Sequence, residues 1–494
     1  MTDQAPMKRQ GSKVKERLRN RGHFRADQYE THSFMLQLPD ELLALIVEMA
    51  AIYDENNSSP QERHMAMCDK DAVLALSRVC HRLGRMAQPV LYRDIRAVNV
   101  LPPSIRMRKL RRTFRDRPDL RQHCKYSQIE KRVIILARFD KWYDDVEAEL
   151  QHELLWGLIL RIEGNFKNLE RLRLLSQSRS LSPILKQFRM QKLKTLEIQN
   201  LWMQWHQDHM ELEPEKRRTA SFTTLRLVKF GERPTALFHL LQWPTVLTRF
   251  ELDSICNDSF PLAYPTLETW LLVHQNSLKH ISIGHLSWGG SQRRFNAAIF
   301  PNLEFLRLSR WQIQSPLQFT PEDANILGPS LKTFVWDFST QGHIHQSWRD
   351  FGEAEAAWIW ELAACAVSRE TALTRIEIQY EPCECPHDAT EEMEYPWDRM
   401  DTVKDQILKP NGLQLSYNKP PISKERWSEL IMAGKCEGGC IMHWEEDVAE
   451  AMFYDAAESE HEQSSTDDEL KSPAWSYEGE DIRKYMIEMP KARS

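Results

Sequence analysis

The segment from Leu38 to Ala50 predicts a helix with apolar residues around almost its whole circumference. One face carries Leu42, Leu45, Ile46 and Met49, and a second face carries Leu43, Val47 and Ala50. A surface helix usually shows a single apolar stripe, so two apolar faces indicate burial on two sides. A unit of about 60 residues can bury only a limited share of its surface. We therefore expect the second face to meet another protein.

A second helical segment is predicted over Val73–Ala87, where apolar residues recur at spacings of three and four. Pro89 is expected to end this segment, because proline lacks the backbone donor that a helix interior uses. Between the two helical segments, the polar residues 52–70 predict a long loop. The pattern therefore predicts a small helical unit that ends near Ile95.

Three pieces of this unit, taken in order, resemble the F-box of fungal F-box proteins. They are the segments Leu38–Ile46, Leu74–Leu83 and Pro89–Ile95, within a stretch of about 58 of 494 residues. The loop between the helices is longer than the short turn that F-boxes usually have. The resemblance implies that the helices contact or support a Skp-type adaptor through Leu38, Pro39, Leu42, Leu43, Ile46, Leu74, Val79, Cys80 and Leu83. The residues alone also allow an ordinary helical hairpin that buries all of its own apolar side chains.

A second pattern recurs from Leu169 onward: an apolar residue, two variable residues, an apolar residue, one variable residue and an apolar residue. It occurs at Leu169/Leu172/Leu174, Leu193/Leu196/Ile198, Phe222/Leu225/Leu227, Leu247/Phe250/Leu252, Leu278/Ile281/Ile283, Leu303/Leu306/Leu308, Leu331/Phe334/Trp336 and Leu373/Ile376/Ile378. Successive occurrences are mostly 24 to 31 residues apart, and the last gap is 42. The pattern resembles leucine-rich repeats, in which each pattern forms a strand and repeats stack into one core.

The two patterns together predict an α/β fold. We expect an N-terminal F-box-like helical unit followed by an irregular leucine-rich-repeat solenoid with parallel strands on its concave face. Helices are predicted within the repeats at Pro265–Val273 and Ala354–Val367. An unrelated α/β domain whose strands show the same pattern is the alternative.

The middle residue of each strand pattern should lie on the concave face. These residues are Arg173, Glu197, Arg226, Glu251, Ser282, Arg307, Val335 and Glu377. Their signs alternate over the first four strands, so pairing between strands ~4.8 Å apart accounts for them without any ligand. Nucleic acid prefers a continuous basic track, so a mixed-charge face fits a protein target better. Arg and Trp often carry binding energy, and the candidate target-binding residues are Arg173, Arg226, Arg307 and Trp311.

Charge is unevenly distributed along the chain, whose net charge is −6. Residues 106–132 contain eleven Lys or Arg against three acids, and residues 445–481 contain fourteen acids against one Lys. Strongly acidic stretches are usually disordered and solvated. The predicted division is a disordered basic arm (1–33), an F-box-like domain (34–97), a basic helical linker or cap (98–165), the repeats (166–385), a C-terminal cap region (386–454) and a disordered acidic tail (455–494).

Nine scattered cysteines favour reduced thiols and a cytoplasmic or nuclear location. We find no secretory signal and no apolar run of 18 residues, so a membrane partner is not expected. Phosphate-binding, nucleophile and metalloprotease motifs are absent, which predicts a protein that is not an enzyme and needs no cofactor. Cys383, Cys385 and His387 with Cys436, Cys440 and His443 could supply zinc ligands, but their spacing is unusual. Unpaired thiols are the preferred interpretation, so no metal site is predicted.

The resemblance to F-box proteins with leucine-rich repeats implies a function. Such a chain is the substrate receptor of a Skp–cullin–F-box ubiquitin ligase, which reaches the cullin scaffold through the adaptor and holds a protein target near the conjugating enzyme. Its contribution is proximity, which raises effective concentration. A leucine-rich interaction scaffold outside any ligase is the alternative. A nucleic-acid-associated protein that uses the basic segments is a weaker third interpretation.

Overall fold

The computed structural model describes residues 37–51, 70–100, 105–132, 166–175, 191–202, 212–231, 234–255, 262–286, 294–313, 317–339, 346–386, 388–390 and 392–433 of the 494. The predicted arm 1–33, residues 52–69 of the predicted loop 52–70, and the predicted tail 455–494 lie outside these residues. The chain divides into two compact units, Met1–Cys383 with Met393–Pro421, and Glu384–Glu392 with Ile422–Ser494.

The first unit contains a parallel sheet whose strand order follows the chain. Its eleven strands are β1 Asp94–Val100, β2 Tyr126–Arg132, β3 Arg171–Leu175, β4 Thr195–Trp202, β5 Thr224–Gly231, β6 Arg249–Ser254, β7 His280–His285, β8 Phe305–Ser309, β9 Thr333–Asp337, β10 Arg375–Gln379 and β11 Gln414–Tyr417. Every neighbouring pair is parallel. Parallel neighbours need a crossover connection, so each strand is followed by a segment that returns the chain to the same end of the sheet.

Helices lie before the sheet and in several connections. The α-helices among the described residues are α1 Asp40–Ala50, α2 Lys70–Val79, α3 His81–Leu91, α4 Ile105–Asp116, α5 Pro234–Gln242, α6 Tyr264–Leu271, α7 Glu353–Ser368, α8 Pro396–Val403 and α9 Lys424–Ala433. The fold is therefore mixed α/β. The two helices predicted within the repeats correspond to α6 and α7, so both predictions are confirmed.

The core of the sheet consists of the apolar residues that define the eight sequence patterns. All eight patterns form strands, β3 to β10, and they pair in one common register, as Leu225 opposite Phe250 and Phe250 opposite Ile281 illustrate. The paired apolar side chains are buried in every one of these strands. Side chains alternate between the two faces of a strand, so the residue between two buried positions lies on the opposite, polar face.

Three strands, β1, β2 and β11, escaped the sequence analysis, and β2 and β11 interrupt the apolar pattern. In β2, Ser127 pairs with Leu172 and occupies a buried core position that the pattern reserves for an apolar residue. In β11, Leu415 continues the core row, but the residue three positions earlier is Gly412. β2 also lies inside the segment predicted as a helical linker, and β11 inside the predicted cap region.

The helical unit differs from its prediction at two points. The predicted segment Val73–Ala87 is not one helix, because the chain becomes extended at Cys80, whose backbone has φ −158° and ψ 166°. Cys80 caps α3 by accepting a hydrogen bond from the Leu83 backbone N–H at 3.5 Å. Pro89 does not end the helix either, and α3 continues to Leu91. The missing proline donor is tolerated there because it affects only the last turn of the helix.

Candidate functional site

The first helix, α1, has one buried and one exposed apolar face. Leu43 and Val47 are fully buried, and they pack in a core with Val73, Leu83, Ala87 and Val90 of α2 and α3. Leu42, Leu45 and Met49, hereafter the α1 stripe, are 47%, 51% and 61% exposed. Their spacing of three and four residues places them on one side of the helix. The described residues therefore seal only one of the two apolar faces that the sequence predicts.

More exposed apolar side chains lie on α2, where Leu74 and Val79 are the examples. Nine large hydrophobic side chains are exposed among the described residues, and five of them belong to α1 and α2. Single exposed hydrophobic residues are ordinary, whereas a concentration of them marks a surface that meets another molecule. The exposed apolar side chains of α1 and α2 are therefore a candidate docking surface.

An ion pair at the start of α1 fixes which face points outward. The Arg82 guanidinium donates to the Asp40 carboxylate at 2.7 Å and to the Leu38 carbonyl at 2.7 Å. Arg85 reaches the other oxygen of Asp40 at 3.3 Å. These bonds hold the N-terminus of α1 on α3, and together with the buried Leu43 they define the rotation of α1 about its axis.

The nine predicted adaptor residues do not share one environment. Pro39, Leu42, Leu74 and Val79 are exposed; Leu38, Ile46 and Cys80 are partly buried; Leu43 and Leu83 are fully buried. The two buried leucines can support a docking surface but cannot contact a partner. Leu45 and Met49 are exposed on the α1 stripe but were not among the predicted site residues, although their spacing from Leu42 already placed them on the same face.

The polar face of the sheet carries a chain of alternating charges across four strands. Arg173 of β3 lies 3.3 Å from Glu197 of β4, and Arg226 of β5 lies 3.7 Å from Glu197 and 3.1 Å from Glu251 of β6. The register pairs each of these residues with the next. The predicted cross-strand pairing is confirmed, and it engages two of the candidate target-binding residues, Arg173 and Arg226.

Glu251 lies among two arginines and a histidine on this face. It pairs with Arg226 and Arg249, and His280 of β7 lies 3.7 Å away. Burial alone would raise the pKa of Glu251, but the two guanidinium groups outweigh burial and hold the pKa below its ordinary value. Burial lowers the pKa of His280 to about 4, and its ring stacks on Phe305 with the centroids 4.0 Å apart. His280 is therefore neutral at physiological pH and adds no positive charge to this face.

The remaining two target-binding candidates also have partners within the chain. Arg307 donates to Asp337 at 2.6 Å, and its Nε atom is buried without a hydrogen-bond acceptor. The Trp311 indole N–H donates to the Phe338 carbonyl at 2.8 Å. Arg307 shares the polar face with Arg173 and Arg226, whereas Trp311 follows β8 in a short 3-10 turn.

One acid of the polar face differs from the others and was missed by the sequence analysis. Asp253, two residues after Glu251, accepts no hydrogen bond and forms no ion pair with any residue that the structure describes. Burial raises the pKa of Asp253 above its ordinary value, and the nearby Asp337 and Glu251 act in the same direction. The sequence does indicate that Asp253 lies on the same strand face as Glu251, but it does not indicate that Asp253 lacks a partner.

The cysteine cluster is only partly described. Cys383 is a free thiol, whereas Cys385 is disulfide-bonded, so the expectation of unpaired thiols is wrong at Cys385. His387, Cys436, Cys440 and His443 also lie outside them. Within the described ranges, no group of three or more His, Cys, Asp or Glu side chains is arranged to hold a metal ion.

Comparison with models of protein families gave no match, and comparison with curated protein sequences gave no significantly similar protein. In the part of the chain that the structure describes, none of the helices combines the length and the apolar character needed to span a bilayer.

Proposed function

We propose that this chain is the substrate-recognition subunit of a Skp–cullin–F-box-type ubiquitin ligase. In this proposal the region 38–95 is an F-box-like unit that binds a Skp-type adaptor, and through it a cullin scaffold. The sheet belongs to an irregular leucine-rich-repeat solenoid that binds the protein target. The receptor performs no chemistry itself and acts in the cytoplasm or nucleus.

The exposed α1 stripe is the observation that carries this proposal. Leu42, Leu45 and Met49 present apolar surface to solvent in a helix whose opposite face is already buried. Burying such side chains in a partner stabilises association by ~25 cal/mol for each Å² of apolar area removed from water. The three F-box-like segments give the partner its predicted identity, because an F-box binds a Skp-type adaptor.

The order of the strands supports the second half of the proposal. Eight repeated patterns form consecutive parallel strands in one register, which is the arrangement expected of stacked repeats. Stacking leaves one face of the sheet lined with polar side chains from successive repeats. Such extended surfaces suit protein targets, and the mixed charge of this one disfavours a nucleic-acid backbone.

Co-expression tests this function. The full chain should aggregate when it is produced alone, because the α1 stripe is exposed, and should become soluble and co-elute equimolar with the Skp-type adaptor of the source organism. A chain that is monodisperse alone and does not co-elute with the adaptor would favour the alternative, a leucine-rich scaffold outside any ligase.

A further inference from the structure

Asp253 is an exception among the described acids of the polar face, because the others named here pair with arginine. Glu197, Glu251 and Asp337 each pair with an arginine, and Glu377 of β10 accepts a hydrogen bond from Arg375 at 2.9 Å. Asp253 has no such partner among the described residues. Its side chain is half-buried, so water compensates its charge only in part. A buried charge without a partner costs free energy that folding alone does not recover.

The neighbouring strand β7 contributes no side chain beside Asp253. On β7, the residue two positions beyond Ser282 on the polar face is Gly284, which contributes no side chain. A Cβ atom at Gly284 would lie only 1.8 Å from the Asp253 backbone oxygen. The two strands therefore approach closely at this point, and β7 offers no side chain to pair with the carboxylate.

The two arginines whose charges act on Asp253 are already engaged with other acids. Arg307 donates to Asp337 at 2.6 Å, and Arg226 lies between Glu197 and Glu251. Both attract Asp253 through space without bonding to it. The carboxylate is thus a hydrogen-bond acceptor that stays available after the charges of this face have paired with one another.

We propose that Asp253 is the position at which a lysine or arginine side chain of the protein target binds. The inference rests on the proposed function, since it takes the polar face of the sheet as the target-binding surface. A cationic side chain would supply the missing donor and neutralise the carboxylate. Charge-assisted hydrogen bonds of this kind are stronger than neutral ones, and an arginine fork matches both carboxylate oxygens.

A displayed library of random 12-residue peptides, selected against the full chain with and without the adaptor, tests the proposal. Peptides selected on the wild type should carry Lys or Arg at one fixed position. Selection on Asp253→Asn should lose that preference, whereas selection on the matched control Glu377→Gln, which neutralises a paired acid of the same face, should retain it.

Affinities of one selected peptide then locate the contact. Asp253→Asn should weaken binding ~10-fold or more, replacement of the basic peptide residue by Gln should do the same, and the two changes together should weaken binding little further. Asp253→Asn removes an unpaired charge, so its unfolding midpoint should equal or exceed that of the wild type.

Three results would overturn the inference: the absence of selected peptides, selected peptides without a fixed basic residue, or a marked loss of stability in Asp253→Asn. None of these results involves α1. If peptide selection fails while adaptor binding is intact, the inference about Asp253 is wrong and the F-box-like function is retained. If adaptor binding is lost while selection of basic peptides is intact, the F-box-like function is wrong and the inference about Asp253 is retained.

Discussion

Leu42 and Leu43 are adjacent in the chain but face opposite environments: the side chain of Leu43 is 0% exposed in the core of the helical unit, and Leu42 is 47% exposed on the α1 stripe. About 100° of helix rotation separates successive residues, which is enough to move a side chain from one face to the other. Leu43 therefore contributes to folding, whereas the neighbouring Leu42 is available for the proposed binding.

Alanine substitutions of this pair should give opposite results. Leu43→Ala removes a fully buried side chain and should lower the free energy of unfolding by about 2–5 kcal/mol. Leu42→Ala should change it by less than ~0.5 kcal/mol, because its side chain lies at the surface and outside the buried core. Urea denaturation of both variants measures the difference. Equal losses would mean that Leu42 is also part of the chain's own core.

Helical periodicity identified both faces of α1 but could not say which face the chain itself covers. The two faces have similar apolar content, and the choice depends on where Val73 and Leu83 of the neighbouring helices pack. Helical periodicity also could not reveal the break in the helix at Cys80. Apolar spacing of three and four continues across it, while the thiol caps α3 through a contact that no periodicity records.

Strand prediction succeeded where the full apolar pattern was present, and it missed β2 and β11, where Ser127 and Gly412 occupy positions of that pattern. The eight patterns from Leu169 to Ile378 predicted β3 to β10 and their register, because successive occurrences of the pattern place equivalent residues side by side. Ser127 in β2 hid a strand that the backbone pairing reveals. Asp253 could not be recognised in advance, since its lack of a partner depends on the side chains of three other strands.

A buried ion pair links the turn after β8 to helix α7 and should be essential for stability. Arg310 bonds Glu355 at 2.7 Å, and both side chains are more than 90% buried. Glu355→Gln would leave the guanidinium without its counter-charge, which should cost about 3 kcal/mol or more in unfolding free energy. Glu304→Gln breaks the exposed pair with Lys332 and is the control, with an expected loss under ~1 kcal/mol. Similar losses in both variants would contradict this account of burial.

Two glycines should respond differently to substitution by alanine. Gly284→Ala would place a Cβ atom 1.8 Å from the Asp253 backbone oxygen, so strands β6 and β7 would have to separate, at a cost of roughly 2–3 kcal/mol. At Gly412 the added Cβ meets no atom within 4 Å, and the cost of ~1 kcal/mol arises only from its positive φ of 75°. Thermal unfolding compares the two. A smaller effect at Gly284 than at Gly412 would mean that the two strands do not approach so closely in solution.

Stability should fall in mild acid through His274. Its Nδ1 atom accepts from the Leu247 N–H at 3.2 Å, and its Nε2–H donates to the Leu241 carbonyl at 2.8 Å. Burial lowers the pKa of His274 to about 4, below its ordinary value of 6.5. Between these values the unfolded chain binds more protons than the folded chain, so the free energy of unfolding decreases as pH falls.

The size of this effect can be measured with a variant that does not titrate. From pH 7 to pH 5, the wild type should lose about 2 kcal/mol more unfolding free energy than His274→Gln. His280 and the carboxylates are common to both proteins, so their contributions cancel in the comparison. Equal losses of unfolding free energy in the two proteins would show that His274 is accessible to protons in the folded state.

Adaptor binding by single variants of α1 tests the central claim most directly. Leu45→Glu places a charge in the middle of the α1 stripe without touching the core of the helical unit, and Val246→Glu makes the same change at a 42% exposed apolar residue before β6. The amount of Skp-type adaptor that co-purifies with each full chain is the measurement. We predict that Leu45→Glu reduces it at least ~10-fold while Val246→Glu retains it. Retention of the adaptor by Leu45→Glu, or equal loss in both variants, would contradict the claim that the exposed face of α1 is where the adaptor binds.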